Sequence, residues 1–395
     1  MEQRDETPRE HPRRRRVLKA IAIAAVALTV VTVSAGSLLY VQLNDNIKHV
    51  SLSGLQNRPP VAAPDPVTGD SPMNVLLMGS DTRSGINRSL AGGPQMGGFG
   101  HSDTMMLLHV SADHQSAAVM SLPRDTMIDL PTCTDKQGGQ IGGYFGQINT
   151  AYDQGGPVCA VKAVEQLTKI HIDHFVIVDF EGFVKMVDSV GGVSVCLPQA
   201  VNDPTGHIQL PAGIHLVRGQ EALDYVRERH ALGDGGDRSR ITRQHAFISA
   251  FINKMHESVS NPATLFSLAE NATRAITVDD GLGSLRKLID FADEIKSIKP
   301  SEIKFFTVAT AEWPADPNRL IPVQPQAQDE FDALADDLPL ATPGAAPPDI
   351  AGDTGAIFNG TAVHGLNVPP SRLPAPITDA RTASTNICDG LQAGD

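Results

Sequence analysis

The order of apolar and polar positions between residues 73 and 340 predicts alternating strands and helices. Short apolar runs, typical of strands buried on both faces, are NVLLMG (74–79), TMMLLHV (104–110), AAVMSL (117–122), FVIVDF (175–180), VSVCL (193–197) and IKFFTVA (303–309). Segments with helical spacing, such as PVCAVKAVEQLTKI and RITRQHAFISAFINKM, separate them. This alternation predicts an α/β layered fold in which helices cover both sides of a central β-sheet.

The N-terminal part of the chain follows a different pattern. A basic stretch, HPRRRRVLK, runs directly into Ala20–Leu43, which contains no charged residue. About twenty apolar residues span the hydrocarbon layer of a membrane, so this segment is predicted to be a transmembrane helix. The basic flank predicts that the N-terminus is cytoplasmic and the remainder is extracytoplasmic. A cleaved signal peptide is the alternative, because VSAGS offers a small-residue cleavage site.

These patterns divide the chain into segments. Residues 1–19 form a cytoplasmic basic tail, 20–43 the transmembrane helix, 44–72 an extracytoplasmic linker, 73–340 the globular domain and 341–395 a C-terminal tail. The linker is rich in proline and small residues, which is typical of a tether. The C-terminal tail is rich in proline, glycine and alanine, so it is predicted to be mostly irregular.

The net charge of the chain limits which classes of binding partner are expected. The 395-residue chain has 32 basic and 45 acidic side chains, a formal net charge of −13. Such a protein is not drawn as a whole to nucleic acid or to an anionic surface, so no nucleic-acid partner is predicted. A local cluster of arginines therefore needs a local explanation. The sequence predicts no particular protein partner.

All four cysteines, Cys133, Cys159, Cys196 and Cys388, follow the apolar segment. Disulfides persist outside the cytoplasm, and no Cys-x-x-Cys or Cys/His spacing indicates a metal site. Two disulfides are therefore predicted, with three alternative pairings, and a bond to Cys388 would tie the tail to the domain. Free buried thiols are the alternative.

Polar residues follow or precede three of the predicted strands. Asp81 and Arg83 follow the first strand, Asp103 precedes the second, and Arg124 and Asp125 follow the third. Open α/β sheets bind ligands at the carboxyl ends of their strands. Carboxylates near arginines suit a divalent cation bound together with a polyphosphate. The alternative for each aspartate is a role in a turn or a helix cap.

A second set of arginines lies in RGQEALDYVRERHALGDGGDRSRITRQHAF (218–247). Helical spacing places Arg240, Arg243 and Gln244 on one face. Arg227 and Arg229 are two residues apart, so they converge only if a helix ends there. Guanidinium groups bind phosphate bidentately and stay charged when partly buried. The alternative is a set of surface salt bridges with the neighbouring acidic residues.

Several motifs in fixed order resemble one family. NVLLMGSDTR, GHSDTMMLLHV, MSLPRDT, INTAYDQGGP, DHFVIVDFEGF, DSVGGVSV, GQEALDYVRERH and GDRSRITRQ are similar to motifs of the LytR-CpsA-Psr cell-wall enzymes in their actinobacterial form. The resemblance implies an αβα layered fold with a central mixed β-sheet. It also implies a Mg²⁺-dependent phosphotransferase that moves an anionic glycopolymer from a polyprenyl-pyrophosphate carrier to peptidoglycan, forming a phosphodiester. The polyprenyl tail is then expected in an apolar channel.

The same resemblance assigns roles to residues. Asp81 and Asp103 would hold the metal, Mg²⁺ or alternatively Mn²⁺. Contacts to the pyrophosphate would come from Arg83, Arg124, Arg227, Arg229, Arg240, Arg243 and Gln244, with Asp125 and Asp237 in support. Arg124, Asp103 and Asp125 form the implied catalytic group, and either aspartate is a candidate for deprotonating the acceptor hydroxyl. Many members carry lysine where this chain has Gln147, so one cationic contact is missing here.

Two other functions use the same residues. One is hydrolysis of the polyprenyl pyrophosphate without transfer. The other is non-catalytic binding of a polyprenyl lipid by a regulatory membrane protein. Asp81, Asp103 and Arg124 favour an enzyme, because a pure binder does not need metal-binding carboxylates.

Overall fold

The computed structural model describes residues 12–65, 68–81, 99–229, 232, 236–258, 261–340, 361–363, 366–368 and 380–388. The helices are α1 (Pro12–Asp45), α2 (Asn149–Thr168), α3 (Phe180–Ser189), α4 (Gly219–Arg227), α5 (Asp237–Ser258), α6 (Pro262–Ala275), α7 (Leu285–Ile295) and α8 (Gln326–Ala335), with a 3-10 turn at Pro300–Glu302. The strands are β1 (Lys48–Val50), β2 (Met73–Asp81), β3 (His101–Val110), β4 (Ala117–Leu122), β5 (Met127–Asp129), β6 (Cys133–Thr134), β7 (Gln140–Ile141), β8 (Phe145–Gln147), β9 (His174–Asp179), β10 (Val193–Leu197), β11 (Val201–Asp203), β12 (Ile208–Leu210), β13 (Gly213–Val217), β14 (Ile276–Asp279), β15 (Ile303–Thr307), β16 (Thr310–Trp313), β17 (Asp316–Pro322), β18 (Thr361–Val363), β19 (Leu366–Val368) and β20 (Arg381–Thr382).

The N-terminal helix forms one unit, up to Asn46, and the rest of the chain forms the other. Within α1, Ala25–Asp45 has a mean hydropathy of 1.8 and is long and apolar enough to cross a membrane. The hydroxyls of Thr29 and Thr32 donate to helix carbonyls at 2.9 and 3.0 Å, so these polar groups are satisfied inside the helix. The predicted transmembrane helix is thus present as a continuous helix.

The second unit is built on an eight-stranded sheet with the order β1-β14-β9-β2-β3-β4-β15-β20. The pairs β1–β14, β9–β2 and β4–β15 are parallel, and β14–β9, β2–β3, β3–β4 and β15–β20 are antiparallel. The sheet is therefore mixed, as the family resemblance implies. Apolar runs with many valine, leucine and methionine residues supply its central strands, because both faces of these strands are covered.

Alternate residues of the central strands face opposite helical layers. Leu76 of β2 belongs to one buried cluster with Val161 of α2 and Phe331 of α8. On the other side, Met106 of β3 packs in a cluster with Ile248 of α5. The αβα layering predicted from the sequence is confirmed.

Two segments contain short strands that the sequence pattern did not predict. The linker at 44–72 contributes edge strand β1, and its Arg58 binds the buried Glu165, with 2.6 Å between Nη2 and Oε1. The C-terminal tail contributes β20, which pairs with β15 at the other edge. Both additions use backbone pairing and isolated polar contacts, which leave no apolar periodicity in the sequence.

The cysteines form two disulfides, Cys133–Cys159 and Cys196–Cys388. The first closes a loop between β6 and α2. The second joins β10 to the segment after β20, with a sequence separation of 192. The tail is therefore tied to the domain through its last described residue.

Glu330 of α8 makes the stability of the fold depend on pH. It is 2% exposed and accepts the Ala309 N–H at 2.9 Å. Burial raises the pKa of Glu330 from 4.5 to about 7. Because the folded protein favours the protonated form, the contribution of Glu330 to stability is complete below pH 4.5 and is lost as the pH rises through about 7.

Replacing Glu330 by glutamine keeps the hydrogen-bond acceptor and removes the charge. We expect Glu330→Gln to unfold at a higher temperature than the wild type at pH 8, because its free energy of unfolding rises by about 2 kcal/mol. At pH 5 most of this difference in stability should disappear. Thermal unfolding at both pH values measures this. Glu294→Gln, at an exposed position of α7, is the control. A gain that is equal at both pH values would contradict the prediction.

Candidate active site

The predicted polar residues meet at one edge of the sheet. Strands β2, β4, β9 and β15 all run in the same direction, since β3 is antiparallel to both β2 and β4. Asp81 ends β2, Asp179 ends β9, Arg124 and Asp125 follow β4, and Asp103 lies near the start of β3. Loop residues at the carboxyl ends of strands commonly form ligand sites in such sheets.

A β-bulge positions Asp103. Opposite the step Gly79–Ser80 of β2, strand β3 contains one extra residue, which is Asp103. Bulges redirect a side chain without ending the strand. The Asp103 carboxylate accepts a hydrogen bond from Nη1 of Arg124, and its backbone carbonyl accepts one from Nη2 of Arg240 at 3.2 Å. The bulge therefore brings arginines from two separate segments to one residue.

Arg124 lies among three carboxylates. Besides Asp103, its Nε is 3.5 Å from Oδ2 of Asp125 and 3.9 Å from Oδ1 of Asp237. Burial alone would lower the pKa of Arg124, but the carboxylates of Asp103 and Asp125 outweigh burial and raise its pKa above the ordinary value. The guanidinium is therefore fixed in its charged form.

Asp237, at the start of α5, joins the two arginine-bearing segments. It accepts a hydrogen bond from Arg240, and its Oδ1 lies 3.9 Å from Nη2 of Arg229. Burial raises the pKa of Asp237, against the effect of Arg240. Burial likewise lowers the pKa of Arg240, against the effect of Asp237. Both charges are taken out of water here, so their interactions with a further charge are strong.

Four arginines lie among the carboxylates of this cluster. The contacts just given, together with one from the hairpin β16–β17, connect Arg124, Arg229, Arg240 and Arg319 with Asp103, Asp125 and Asp237. Among the described residues, Nε of Arg124 and Nε of Arg240 are buried without a hydrogen-bond acceptor. Buried donors are normally paired. The cluster thus combines several guanidinium groups with two unused buried donors, which suits an anion.

An apolar cavity of about 260 Å³ adjoins the cluster. Its wall consists mainly of apolar side chains from β2, β3, β9, α3, α4 and α5, including Leu77, Val178, Phe183, Leu223, Phe247 and Phe251. Its polar lining includes Asp103, Arg227, Arg240 and Gln244. A ligand with an anionic head and an apolar chain matches this combination.

The helix α4 ends at Arg227, which separates the directions of Arg227 and Arg229. The next residue, Glu228, has extended backbone angles, φ −54° and ψ 136°. Arg227 lines the cavity and lies over the ring of Phe180, 4.6 Å from its centroid. Arg229 instead reaches Asp125, with 3.9 Å between Nη2 and Oδ2. The helix end predicted from the sequence therefore brings both arginines to the same site by different routes.

Two other predicted residues, Gln244 and Arg243, have different surroundings. Gln244 lines the cavity and donates to Oγ1 of Thr104 at 3.2 Å. Arg243 is buried and donates to the backbone carbonyls of Glu228 and Leu232. Through these carbonyls Arg243 braces the segment that carries Arg229, and its contact with the pyrophosphate stays a prediction. Arg83 lies outside the described residues.

Sequence reasoning missed the surroundings of Asp125. Its Oδ1 accepts a hydrogen bond from Nε2 of Gln147 at 2.6 Å and lies 3.3 Å from Nη1 of Arg319. Arg319 belongs to β17, 194 residues further along the chain, and no local pattern distinguishes it. It adds a cation beside Gln147, the position at which the family resemblance implied a missing one.

Asp179 also went unnoticed as a site residue. It lines the cavity and caps α3 by accepting the Gly182 N–H at 2.8 Å. A helix N-terminus carries partial positive charge, so Asp179 is fixed there as an acceptor. The motif FVIVDFEGF contained the signal, an aspartate between a buried strand and a helical pattern.

The proposed metal ligands form a small set. Asp81 is 4% exposed, and in the β2–β3 strand register it lies opposite His101, two residues before Asp103. Within the ranges that the structure covers, no three or more His, Cys, Asp or Glu side chains group as metal ligands. Mg²⁺ commonly binds through one or two carboxylates while water and phosphate oxygens complete its shell. Asp81 and Asp103 come from the paired strands β2 and β3, and their role as ligands of a divalent ion stays a prediction.

Comparison with known proteins agrees with the fold. The chain is 32% identical over 264 residues to the cell wall biosynthesis protein LcpA of Corynebacterium glutamicum, covering 60% of this chain and 50% of that relative. It is 27% identical over 315 residues to the polyisoprenyl-teichoic acid–peptidoglycan teichoic acid transferase TagT of Bacillus subtilis, covering 77% and 90%. The crystal structure of B. subtilis TagV superposes with a TM-score of 0.53 at 25% identity, covering 68% and 97%.

The chain thus spans only half the length of LcpA, whereas it covers most of TagT. The family model described as LytR_cpsA_psr matches residues 39–335. This match includes every described residue of the arginine and carboxylate cluster and of the cavity wall. The sheet, the cluster and the match together establish that the chain belongs to the LytR-CpsA-Psr family.

Proposed function

We propose that this protein is a phosphotransferase that attaches an anionic cell-wall glycopolymer to peptidoglycan. The donor is the glycopolymer on a polyprenyl-pyrophosphate carrier, and the product is a phosphodiester. The observation that carries this proposal is the arginine cluster at one end of the 260 Å³ apolar cavity. A charged head and an apolar tail on one molecule would occupy both. The names of LcpA and TagT, which refer to cell-wall biosynthesis and to teichoic acid transfer, support the same function.

The reaction needs positioning and charge stabilisation more than covalent chemistry. The acceptor hydroxyl oxygen attacks the phosphorus next to the glycopolymer, and the bond between that phosphorus and the polyprenyl-phosphate oxygen breaks. We assign the acceptor proton to Asp125, because Asp103 is assigned to the divalent ion in this proposal. Arg124, Arg229 and Arg240 stabilise the charge that develops on the leaving polyprenyl phosphate.

Asp81 and Asp103 are the residues that would hold Mg²⁺, or alternatively Mn²⁺. When bound, such an ion neutralises phosphate charge and orients the phosphate oxygens. Arg124 contacts Asp103 directly, so this arginine also keeps the carboxylate of a metal ligand in place.

The location follows from the same proposal. Helix α1 would anchor the protein in the cell membrane, with the N-terminus in the cytoplasm and the catalytic domain outside. Polyprenyl carriers are membrane lipids and peptidoglycan is extracytoplasmic, so donor and acceptor meet on that side. A single-pass anchor is sufficient for both.

Reconstitution distinguishes the candidate functions. The full chain in detergent micelles is incubated with a synthetic polyprenyl-pyrophosphate glycan and peptidoglycan fragments, with Mg²⁺ or with a chelator, and the acceptor is examined by mass spectrometry. Transfer predicts an acceptor that gains the glycan and one phosphate, and a requirement for the ion. Released polyprenyl phosphate with an unchanged acceptor would indicate a hydrolase. Binding without turnover would indicate a lipid-binding regulator.

Narrowing the cavity tests the tail site. Met186 of α3 lines the cavity and is half-buried. Met186→Trp is expected to raise KM for the lipid-linked donor about tenfold, because the larger ring occupies space needed by the tail. Met255→Trp is the matched control, since Met255 packs on the same apolar cluster but does not line the cavity. Equal donor KM values for the two variants would contradict the tail site.

A further inference from the structure

Two partly exposed aromatic rings lie in contact beside the candidate active site. Phe145 of β8 and Trp313 of β16 have ring centroids 5.6 Å apart and planes at 61°. Phe145 is 48% exposed, an unusual position for a phenylalanine in a folded domain. Exposed aromatic patches commonly mark binding surfaces. This pair is called the aromatic patch below.

The aromatic patch belongs to the same strands that hold Asp125. Gln147, two residues after Phe145 on β8, donates to Oδ1 of Asp125 at 2.6 Å. Strand β17, the partner of β16, contributes Arg319 at 3.3 Å from the same oxygen, and its Leu320 N–H donates to the Asp125 carbonyl at 3.1 Å.

The contact between Gln147 and Asp125 places Phe145 near the Asp125 carboxylate. Residues two apart on a strand share a face and lie about 7 Å apart. The side chain of Phe145 is therefore on the same face of β8 as Gln147, whose amide binds Asp125.

The chemistry of the surroundings selects the ligand. A pyranose ring has an apolar face of C–H groups and a rim of hydroxyls. Phe145 and Trp313 offer apolar surface to such a face, while Gln147 and Arg319 offer donors to the rim. A lipid tail has no acceptor for the N–H groups of Gln147 and Arg319 that do not bind Asp125, and the residues that line the apolar cavity come from other elements.

We propose that the aromatic patch is the subsite for a sugar ring of the acceptor glycan strand. This inference rests on the proposed function, which supplies the acceptor class. A sugar stacked on Phe145 and Trp313 would place a neighbouring hydroxyl near Asp125, the group assigned to its proton. The patch would then act by positioning the acceptor, with no contact to the donor lipid.

The chain carries one tryptophan, so its fluorescence reports on the patch directly. The full chain in detergent micelles is titrated with a tetrasaccharide of alternating N-acetylglucosamine and N-acetylmuramic acid. We expect a saturable change in Trp313 emission. Phe145→Ala should weaken the apparent affinity about five- to tenfold, and Phe145→Tyr, which keeps the ring, should restore it.

Phe266→Ala is the matched control, because Phe266 of α6 is 42% exposed and lies on a different element. In the transfer assay, Phe145→Ala should raise KM for the acceptor by the same factor. The donor KM and the rate at saturating acceptor should stay at wild-type values. A structural role alone would change these parameters together.

Each result bears on the proposal in a defined way. Unchanged emission with the tetrasaccharide, in a preparation that transfers glycopolymer, would overturn the subsite and leave the transferase function standing. An emission change with polyprenyl-phosphate vesicles alone would also overturn it. Saturable glycan binding that Phe145→Ala weakens, without any transfer, would support the subsite while the proposed function fails.

Discussion

Arg124→Ala is expected to lower the rate of glycopolymer transfer by about a thousandfold while the protein still folds. Arg124 binds Asp103 and lies within 3.9 Å of Asp125 and Asp237, so its removal leaves three carboxylates near each other without the central cation. The developing phosphate charge then meets repulsion where it had met a guanidinium. Initial rates of transfer to peptidoglycan fragments measure the loss.

Two further variants give this prediction its contrast. Arg274→Ala removes an exposed arginine that pairs with Glu270 on α6, so its transfer rate should equal that of the wild type. Arg124→Lys keeps the charge and loses the planar fork, and we expect an intermediate rate. Transfer by Arg124→Ala at the native rate, with correct folding shown by circular dichroism, would remove Arg124 from the mechanism.

Removing the Cys196–Cys388 disulfide is expected to destabilise the catalytic unit more than removing Cys133–Cys159. The sequence separations are 192 and 26, and loop-closure entropy then predicts losses of about 5 and about 3.5 kcal/mol. The double variants Cys196→Ser/Cys388→Ser and Cys133→Ser/Cys159→Ser, compared by urea unfolding, test the order. Equal losses, or a larger loss for the shorter loop, would contradict the chain-entropy argument.

The longer disulfide also bears on the site. The segment that it holds includes β20 on the sheet edge and Ala383, whose carbonyl accepts a hydrogen bond from Asn253 of α5 at 2.7 Å. Because α5 carries Arg240, we expect the Cys196→Ser/Cys388→Ser variant to lose part of its transfer activity below its unfolding transition. The Cys133→Ser/Cys159→Ser variant should keep more, since that bond lies on the α2 side of the sheet.

Sequence alone predicted the layers because burial on two faces leaves a strong local pattern. The runs around Leu76, Met106 and Met120 are short and mostly apolar, which is typical of a central strand. Edge strands β1 and β20 carry no comparable pattern, because an edge pairs through its backbone and one face remains in water. Cysteine pairing likewise depends on which segments meet in three dimensions.

The site was predictable where residues sit in motifs and unpredictable where contacts cross the chain. Arg227 and Arg240 belong to one arginine-rich stretch, and their convergence follows from the end of α4. Arg319 reaches Asp125 from a distant hairpin, and nothing in its neighbours announces that contact. Helical spacing also placed Arg243 beside Arg240, but spacing alone did not show that its buried guanidinium donates to backbone carbonyls.

Helix α5 contributes to both ends of the cavity: Arg240 and Gln244 line its polar end, and Phe251 lines its apolar wall. At 1.5 Å per residue, a straight helix separates Arg240 from Phe251 by about 16 Å. One continuous helix thus fixes the distance between the polar end and the apolar wall of the cavity. A substitution that bends α5 would therefore displace Arg240 and Phe251 together, and it would change the polar end and the apolar wall of the cavity at the same time.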